Sequence, residues 1–170
     1  QKIDCIAYGC TSGTVAAGYD VIKEKVNLAK PEAKVTTPIT SAIKALKVLG
    51  INKISIFTPY TKTINDSVAS YFKKRNITIN SLSYFDIDSD LDIGKVDEQY
   101  LFEVLSKTDL EDSDALFVSC TALPVLSIID KLEKKLNKVI LSSNQTLIWD
   151  SLNEINYKEK IEGFGKLFNH

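Results

Sequence analysis

The sequence predicts an α/β protein built on parallel sheets. Short runs rich in β-branched residues, such as Lys53–Thr58 and Asp114–Ser119, are separated along the chain by stretches of helical spacing. Four of these runs also end in compact polar turns, which is where open parallel sheets bind ligands.

Taken in order, Lys2–Tyr8 reads as a buried strand and leads into the turn Gly9-Cys10-Thr11-Ser12-Gly13. Val15–Ala29 has helical spacing, with Val15, Tyr19, Ile22, Val26 and Ala29 near one face, and Pro31 ends it. Lys34–Thr37 is a short strand. Pro38 suits the first turn of a helix that runs through Ile39–Leu49 to a stop at Gly50. Strand Lys53–Thr58 and the turn at Pro59-Tyr60 precede a helix reaching about Arg75. Ile77–Phe85 alternates as a strand does. Residues 86–92 read as an acidic loop carrying Asp86, Asp88, Asp90 and Asp92. Asp97 suits the cap of a helix to Ser106. Strand Asp114–Ser119, an amphipathic helix over Leu123–Leu136 and strand Lys138–Leu141 follow. Ser142-Ser143-Asn144 reads as a polar turn opening the helix Gln145–Leu152, in which Trp149 belongs to the core. A charged linker over Asn153–Glu162 precedes Gly163–Phe168.

The bulk properties remove several classes of function. With 44% hydrophobic and 25% charged residues in 170, the composition is that of an ordinary globular domain. The net charge is -1, and lysines are spread rather than clustered, which argues against a nucleic-acid surface. No apolar run would span a bilayer. Three unpatterned cysteines do not form a disulfide framework, and a reducing cytoplasm is expected. The only histidine is His170 and there is no CxxC pair, so no metal site is expected.

Chemistry therefore rests on thiols, hydroxyls and carboxylates. Cys10 and Cys120 each precede a helical stretch, where the helix dipole and free N–H groups favour a thiolate. A thiolate on one face of a carbon beside a carboxylate can remove a proton, and a thiol on the other face can return one. Hydrogen-bond donors must then hold the carboxylate oxygens, and Thr11, Ser12, Thr121 and the turn amides suit that task. Each cysteine also has the plainer reading of a small buried hydrophobe, which suits Cys5 within its strand. Tyr60 is either a ligand donor or a half-buried aromatic beneath its turn. Gly9 and Gly13 lack the lysine of a P-loop and the dinucleotide glycine pattern, and no nucleophile elbow with a histidine is present.

The turn GCTSGT, with Thr58-Pro59-Tyr60, Ser119-Cys120-Thr121 and Ser142-Ser143-Asn144-Gln145, resembles the aspartate/glutamate racemase superfamily. The nearest branch is that of the arylmalonate decarboxylases and maleate cis-trans isomerases. Val35–Thr40 is similar to its ectoine-utilisation members. The resemblance implies two Rossmann-like α/β lobes with a site between them and no cofactor. It implies Cys10 and Cys120 as the catalytic pair, with Thr11, Ser12, Tyr60, Thr121 and Asn144 binding a small carboxylate substrate.

Departures from the family pattern sharpen these expectations. Family members carry a longer segment before the first cysteine, so the first lobe is expected to be incomplete at its start. Residues 1–38 and 153–170 would form what remains of it, and 39–152 the second lobe. The decarboxylases have glycine in place of Cys10, which favours a racemase or isomerase. The maleate isomerases have asparagine where this chain places Asp90, whose charge would disfavour a second carboxylate and suit an ammonium group. The expected activity is a racemase or isomerase of an amino acid, its derivative or a dicarboxylate. The alternatives are an arylmalonate-type decarboxylase and a carboxylate-binding domain without catalysis. A homo-oligomer stays open.

Overall fold

The structure is a computed structural model and describes residues 2–170. It is α/β with parallel strands in two sheets. Strand β1 (Cys5–Ala7) pairs with β2 (Lys34–Thr36) in a two-stranded sheet. The larger sheet has strands β3 (Lys53–Thr58), β4 (Thr78–Tyr84), β5 (Ala115–Val118) and β6 (Val139–Ser142), in the order β4-β3-β5-β6.

The helices are α1 (Thr11–Ala17), α2 (Tyr19–Ala29), α3 (Pro38–Val48), α4 (Lys62–Lys73), α5 (Asp90–Ile93), α6 (Glu98–Leu105), α7 (Ile129–Leu136) and α8 (Ser143–Glu154). Pro38 occupies the first turn of α3, where its missing N–H has no helical partner to lose. Asp97 caps α6 by accepting the Tyr100 N–H at 2.8 Å.

All four residues of β5 are buried, as expected for a parallel strand covered on both faces. Phe117 meets Phe72 of α4 edge-on, with ring centroids 5.2 Å apart. Leu101 and Leu105 of α6 and Ile129 and Leu132 of α7 complete the same core. Trp149 joins it, with its indole N–H buried and without a partner among the described residues.

Several local expectations are corrected. The single helix expected over 15–29 starts earlier, at Thr11, and is broken at Gly18. Gly18 has φ +86°, a conformation that side chains with a Cβ resist, so one helix ends and the next begins there. Part of the acidic loop is helical, because Ser89 accepts the Asp92 N–H and caps α5. The helix expected from Leu123 starts later, after a 3-10 turn at Leu126–Ile128. Ser142 is the N-cap of α8, so Ser143 and Asn144 lie inside its first turn. Residues 163–169 hydrogen-bond to α7 and to α8.

Helix α8 joins the two sheets. Ser151 Oγ bonds Thr36 Oγ1 of β2 at 2.7 Å. Asp150 accepts from Ser41 Oγ and Lys44 Nζ of α3, each at 2.8 Å. The Asp150 side chain is 4% exposed and that of Lys44 48%. The solvated ammonium therefore contributes less than the carboxylate's bond to the buried Ser41 hydroxyl. Among the described residues no helix is long and apolar enough to cross a membrane. Asp150→Ala is expected to cost about 2 kcal/mol, read as a lower urea midpoint at an unchanged slope.

Candidate active site

The carboxyl ends of the strands converge on one edge. Strand β1 runs into Tyr8-Gly9-Cys10, β3 into Pro59-Tyr60, β5 into Ser119-Cys120 and β6 into Ser142-Ser143. After β3 the chain moves outward to β4, then returns to pair β5 on the other side of β3. Tyr60 and Cys120 therefore lie at the point where the strand order reverses, the usual ligand crevice of such sheets.

Cys10 caps α1, its sulfur accepting the Gly13 N–H at 3.2 Å. Thr14 Oγ1 donates to the Cys10 carbonyl at 2.7 Å and holds the turn from behind. Ser12 Oγ stands 3.8 Å from the Cys10 sulfur.

Cys120 is buried and adopts φ +89°, a left-handed conformation that costs an L-residue energy. Its N–H donates to Ser143 Oγ at 3.0 Å. Ser143 Oγ also shares a 2.8 Å hydrogen bond with Thr11 Oγ1. A second tie joins the same turns, since Thr121 Oγ1 donates to the Gly9 carbonyl at 2.8 Å. Asn144 Nδ2 donates to the Thr121 carbonyl at 2.9 Å. Both cysteine turns are thus fastened to each other and to the start of α8.

Tyr60 is buried, with its hydroxyl among the side chains of Ser119, Cys120 and Thr11. Thr58 and Asn65 hold its turn. Thr58 Oγ1 donates to Asn65 Oδ1 and accepts the Tyr60 N–H, while Asn65 Nδ2 donates to the Tyr60 carbonyl at 2.9 Å. Burial first, and then the charge of a Cys120 thiolate, push the phenol far above its ordinary range. Tyr60 is therefore a neutral donor throughout the physiological range. Burial also raises the Cys120 thiol, and the Asp90 carboxylate adds to this. The Ala122 amide and the Tyr60 hydroxyl pull the other way without prevailing.

The sequence-predicted residues divide by position. Cys10, Tyr60, Cys120 and Thr121 lie in the turns at this edge, and Thr11, Ser12 and Asn144 in the first helical turns of α1 and α8 that follow them. Asp90 is exposed at the first turn of α5, and Cys120 feels its charge. The hydroxyls of Thr11 and Thr121 and the amide of Asn144 are engaged in fastening the turns. Ser143 and Ser119 escaped the sequence reading. Ser143 sits in a recognised polar turn, but its bond to a residue 23 positions away has no local signature. Ser119 Oγ is buried near Tyr60 and completes no hydrogen bond among the described residues. Such a hydroxyl calls for an explanation, and a ligand acceptor would satisfy it.

A family model described as arylmalonate decarboxylase matches residues 17–168. The chain belongs to that family. This arylmalonate decarboxylase family member is 26% identical over 176 residues to a maleate isomerase of Geobacillus stearothermophilus, covering 99% of the chain and 70% of the relative. It is 24% identical over 137 residues to the arylmalonate decarboxylase of Bordetella bronchiseptica, covering 79% of the chain and 57% of that enzyme. Its fold matches a structure of the Nocardia farcinica maleate cis-trans isomerase with a TM-score of 0.89 at 18% identity, covering 97% of the chain and 71% of that one. That structure is of a cysteine-to-serine variant with a covalently bound succinylcysteine intermediate.

The thiol electrostatics are testable by thiolate absorbance against pH. Cys120 is expected to titrate above the ordinary thiol range. Tyr60→Phe should raise it further by removing a donor to the thiolate, and Asp90→Asn should lower it by removing a negative charge.

Proposed function

We propose that this protein is a cofactor-independent isomerase or racemase of a small carboxylate, with Cys10 and Cys120 as its acid-base pair. The observation that carries the reading is the pair of ties, Thr121 to Gly9 and Thr11 to Ser143 to Cys120, joining two cysteine turns from separate sheets. Maleate isomerases among the relatives support the isomerase class.

The two thiols differ in kind. Cys120 is buried with its thiol raised, which suits the proton donor. Cys10 is the more exposed and its sulfur accepts an N–H, which suits the base or nucleophile. In a racemisation, the Cys10 thiolate takes the proton from the carbon beside the carboxylate. The electron pair passes into an enediolate, and the Cys120 S–H delivers a proton to the opposite face. Cys10 ends as a thiol and Cys120 as a thiolate, so the reverse direction uses the pair with roles exchanged. In a cis-trans isomerisation, the Cys10 thiolate adds to the double bond. Rotation about the resulting single bond and expulsion of the thiolate then yield the other isomer. Free amides at the start of α1, the Tyr60 hydroxyl and Ser119 are the donors for the carboxylate oxygens.

Asp90 sets the substrate charge. The chain's only arginine, Arg75, stacks on Tyr71 of α4, and the amides and hydroxyls offered to the carboxylate are neutral donors. A single carboxylate with an ammonium or neutral group toward Asp90 fits this balance better than a dicarboxylate.

Decarboxylation is a second reading, favoured by the family model and by the Bordetella relative. It needs Cys120 to protonate a carbanion and does not need Cys10.

Solvent-deuterium exchange at the carbon beside the carboxylate tests the main reading. Cys10→Ser and Cys120→Ser are each expected to lose exchange and turnover by about 100-fold or more. Full activity in both variants rules out the two-thiol mechanism. Carbon dioxide release from a malonate that survives Cys10→Ser but not Cys120→Ser establishes the decarboxylase instead. Asp90→Asn is expected to raise kcat/KM for maleate about tenfold and to lower it for an amino acid, as competition kinetics would show.

A further inference from the structure

Among the described residues the segment 163–169 makes no hydrogen bond to either cysteine turn, yet it is tied to the helix start that holds them. Gly165 N donates to Asp130 Oδ1 at 2.7 Å, and Lys166 N to Glu133 Oε2 at 2.9 Å. The other oxygen of Glu133 accepts the Ile140 N–H at 3.1 Å, so one buried carboxylate joins this strap to β6. Leu167 of the strap is fully buried.

The strap then reaches α8 through a single side chain. Gln145 is fully buried, and both ends of its carboxamide are in use. Its Oε1 accepts the Ser142 N–H at 3.3 Å, while its own N–H donates to Ser142 Oγ at 3.1 Å. These two bonds make the capping box of α8. Its Nε2 donates to the Phe164 carbonyl at 2.6 Å. The next residues back from Gln145 are Asn144, on the Thr121 carbonyl, and Ser143, on the Cys120 N–H and Thr11. Gly165 is packed too closely for any side chain. A Cβ there would lie 2.5 Å from Ile129 Cγ2 and 2.7 Å from Gln145 Nε2.

We infer that Gln145 is a positioning residue, through which the strap 163–169 holds the first turn of α8 and thereby the strained Cys120 turn. The inference rests on the reading of Cys120 as a site residue, but not on any turnover. A left-handed backbone at a non-glycine residue persists only where its surroundings over-determine it. Ser143 supplies that restraint at Cys120, and Gln145 with the strap fixes the turn that carries Ser143. Without the Phe164 bond, that turn keeps its capping box and its ties to Thr11, Thr121 and Pro38 but loses its hold on the strap.

The test uses the full chain and needs no substrate. Gln145→Glu keeps an acceptor for the Ser142 N–H but turns an oxygen toward the Phe164 carbonyl. Gly165→Ala disturbs the same contact from the strap side and leaves Gln145 intact. Phe72→Leu, in the core against Phe117, is the control for general loss of stability. Iodoacetamide labelling, read by mass spectrometry of the separate cysteine peptides, reports how often each turn opens. Gln145→Glu and Gly165→Ala should each label Cys120 about tenfold faster than wild type, with Cys10 changed by less than about twofold. Amide hydrogen exchange should rise at 119–121 and 163–167 together. If Gln145→Glu or Gly165→Ala does not fold, Asp130→Ala, which frees the Gly165 N–H of the strap and adds no atom to the core, decides in its place. Wild-type labelling of Cys120 in the folded variants overturns the inference, as does equal acceleration by Phe72→Leu. A protein that shows the expected labelling but turns over no carboxylate would fault the proposed function and leave the positioning role standing.

Discussion

A single buried hydroxyl carries much of the site. Ser143 Oγ receives the Cys120 N–H and shares a hydrogen bond with Thr11, whose turn leaves the other sheet. With both its neighbours buried, the hydroxyl has no water to exchange with, so each bond costs more to lose than it would at the surface. It also lies in the first turn of α8, whose far end is bonded to β2 and α3. One helix therefore sets the distance between the sheets at one end and the approach of the two cysteine turns at the other.

Electrostatics follow from the same enclosure. Tyr60 and Cys120 are buried side by side, and burial favours the neutral form of each. The result is a neutral donor beside a protonated thiol. The Cys10 turn is the wetter of the two and presents its sulfur at the start of α1. Two cysteines that look alike in sequence thus acquire different surroundings. Asp90 adds a negative charge on one side of Cys120.

The α/β class, the parallel strands and the convergence of polar turns at one edge were legible because they depend on local composition and spacing. Cys10, Tyr60 and Cys120 were legible as residues of those turns, whereas Asn144 lies in the first turn of α8. The break at Gly18 was not, because a glycine within a helical pattern is compatible with either a continuous helix or a left-handed stop. The helix at Asp90–Ile93 was hidden by its aspartates, which read as loop until Ser89 is seen to cap them. Ser119 gave no signal, since a serine before a cysteine is unremarkable until its hydroxyl is found buried and unpartnered.

By itself, then, the sequence determined which elements form and which chemical groups stand at their ends, because strand and helix formation answer to nearest-neighbour spacing. Only the tertiary structure decided that Thr121 reaches Gly9 and that Ser143 serves both turns. It also tied 163–169 to α7 and α8. These are bonds between residues 19 to 132 positions apart. Their existence depends on how helices pack across two sheets, and no local pattern of residues encodes that geometry.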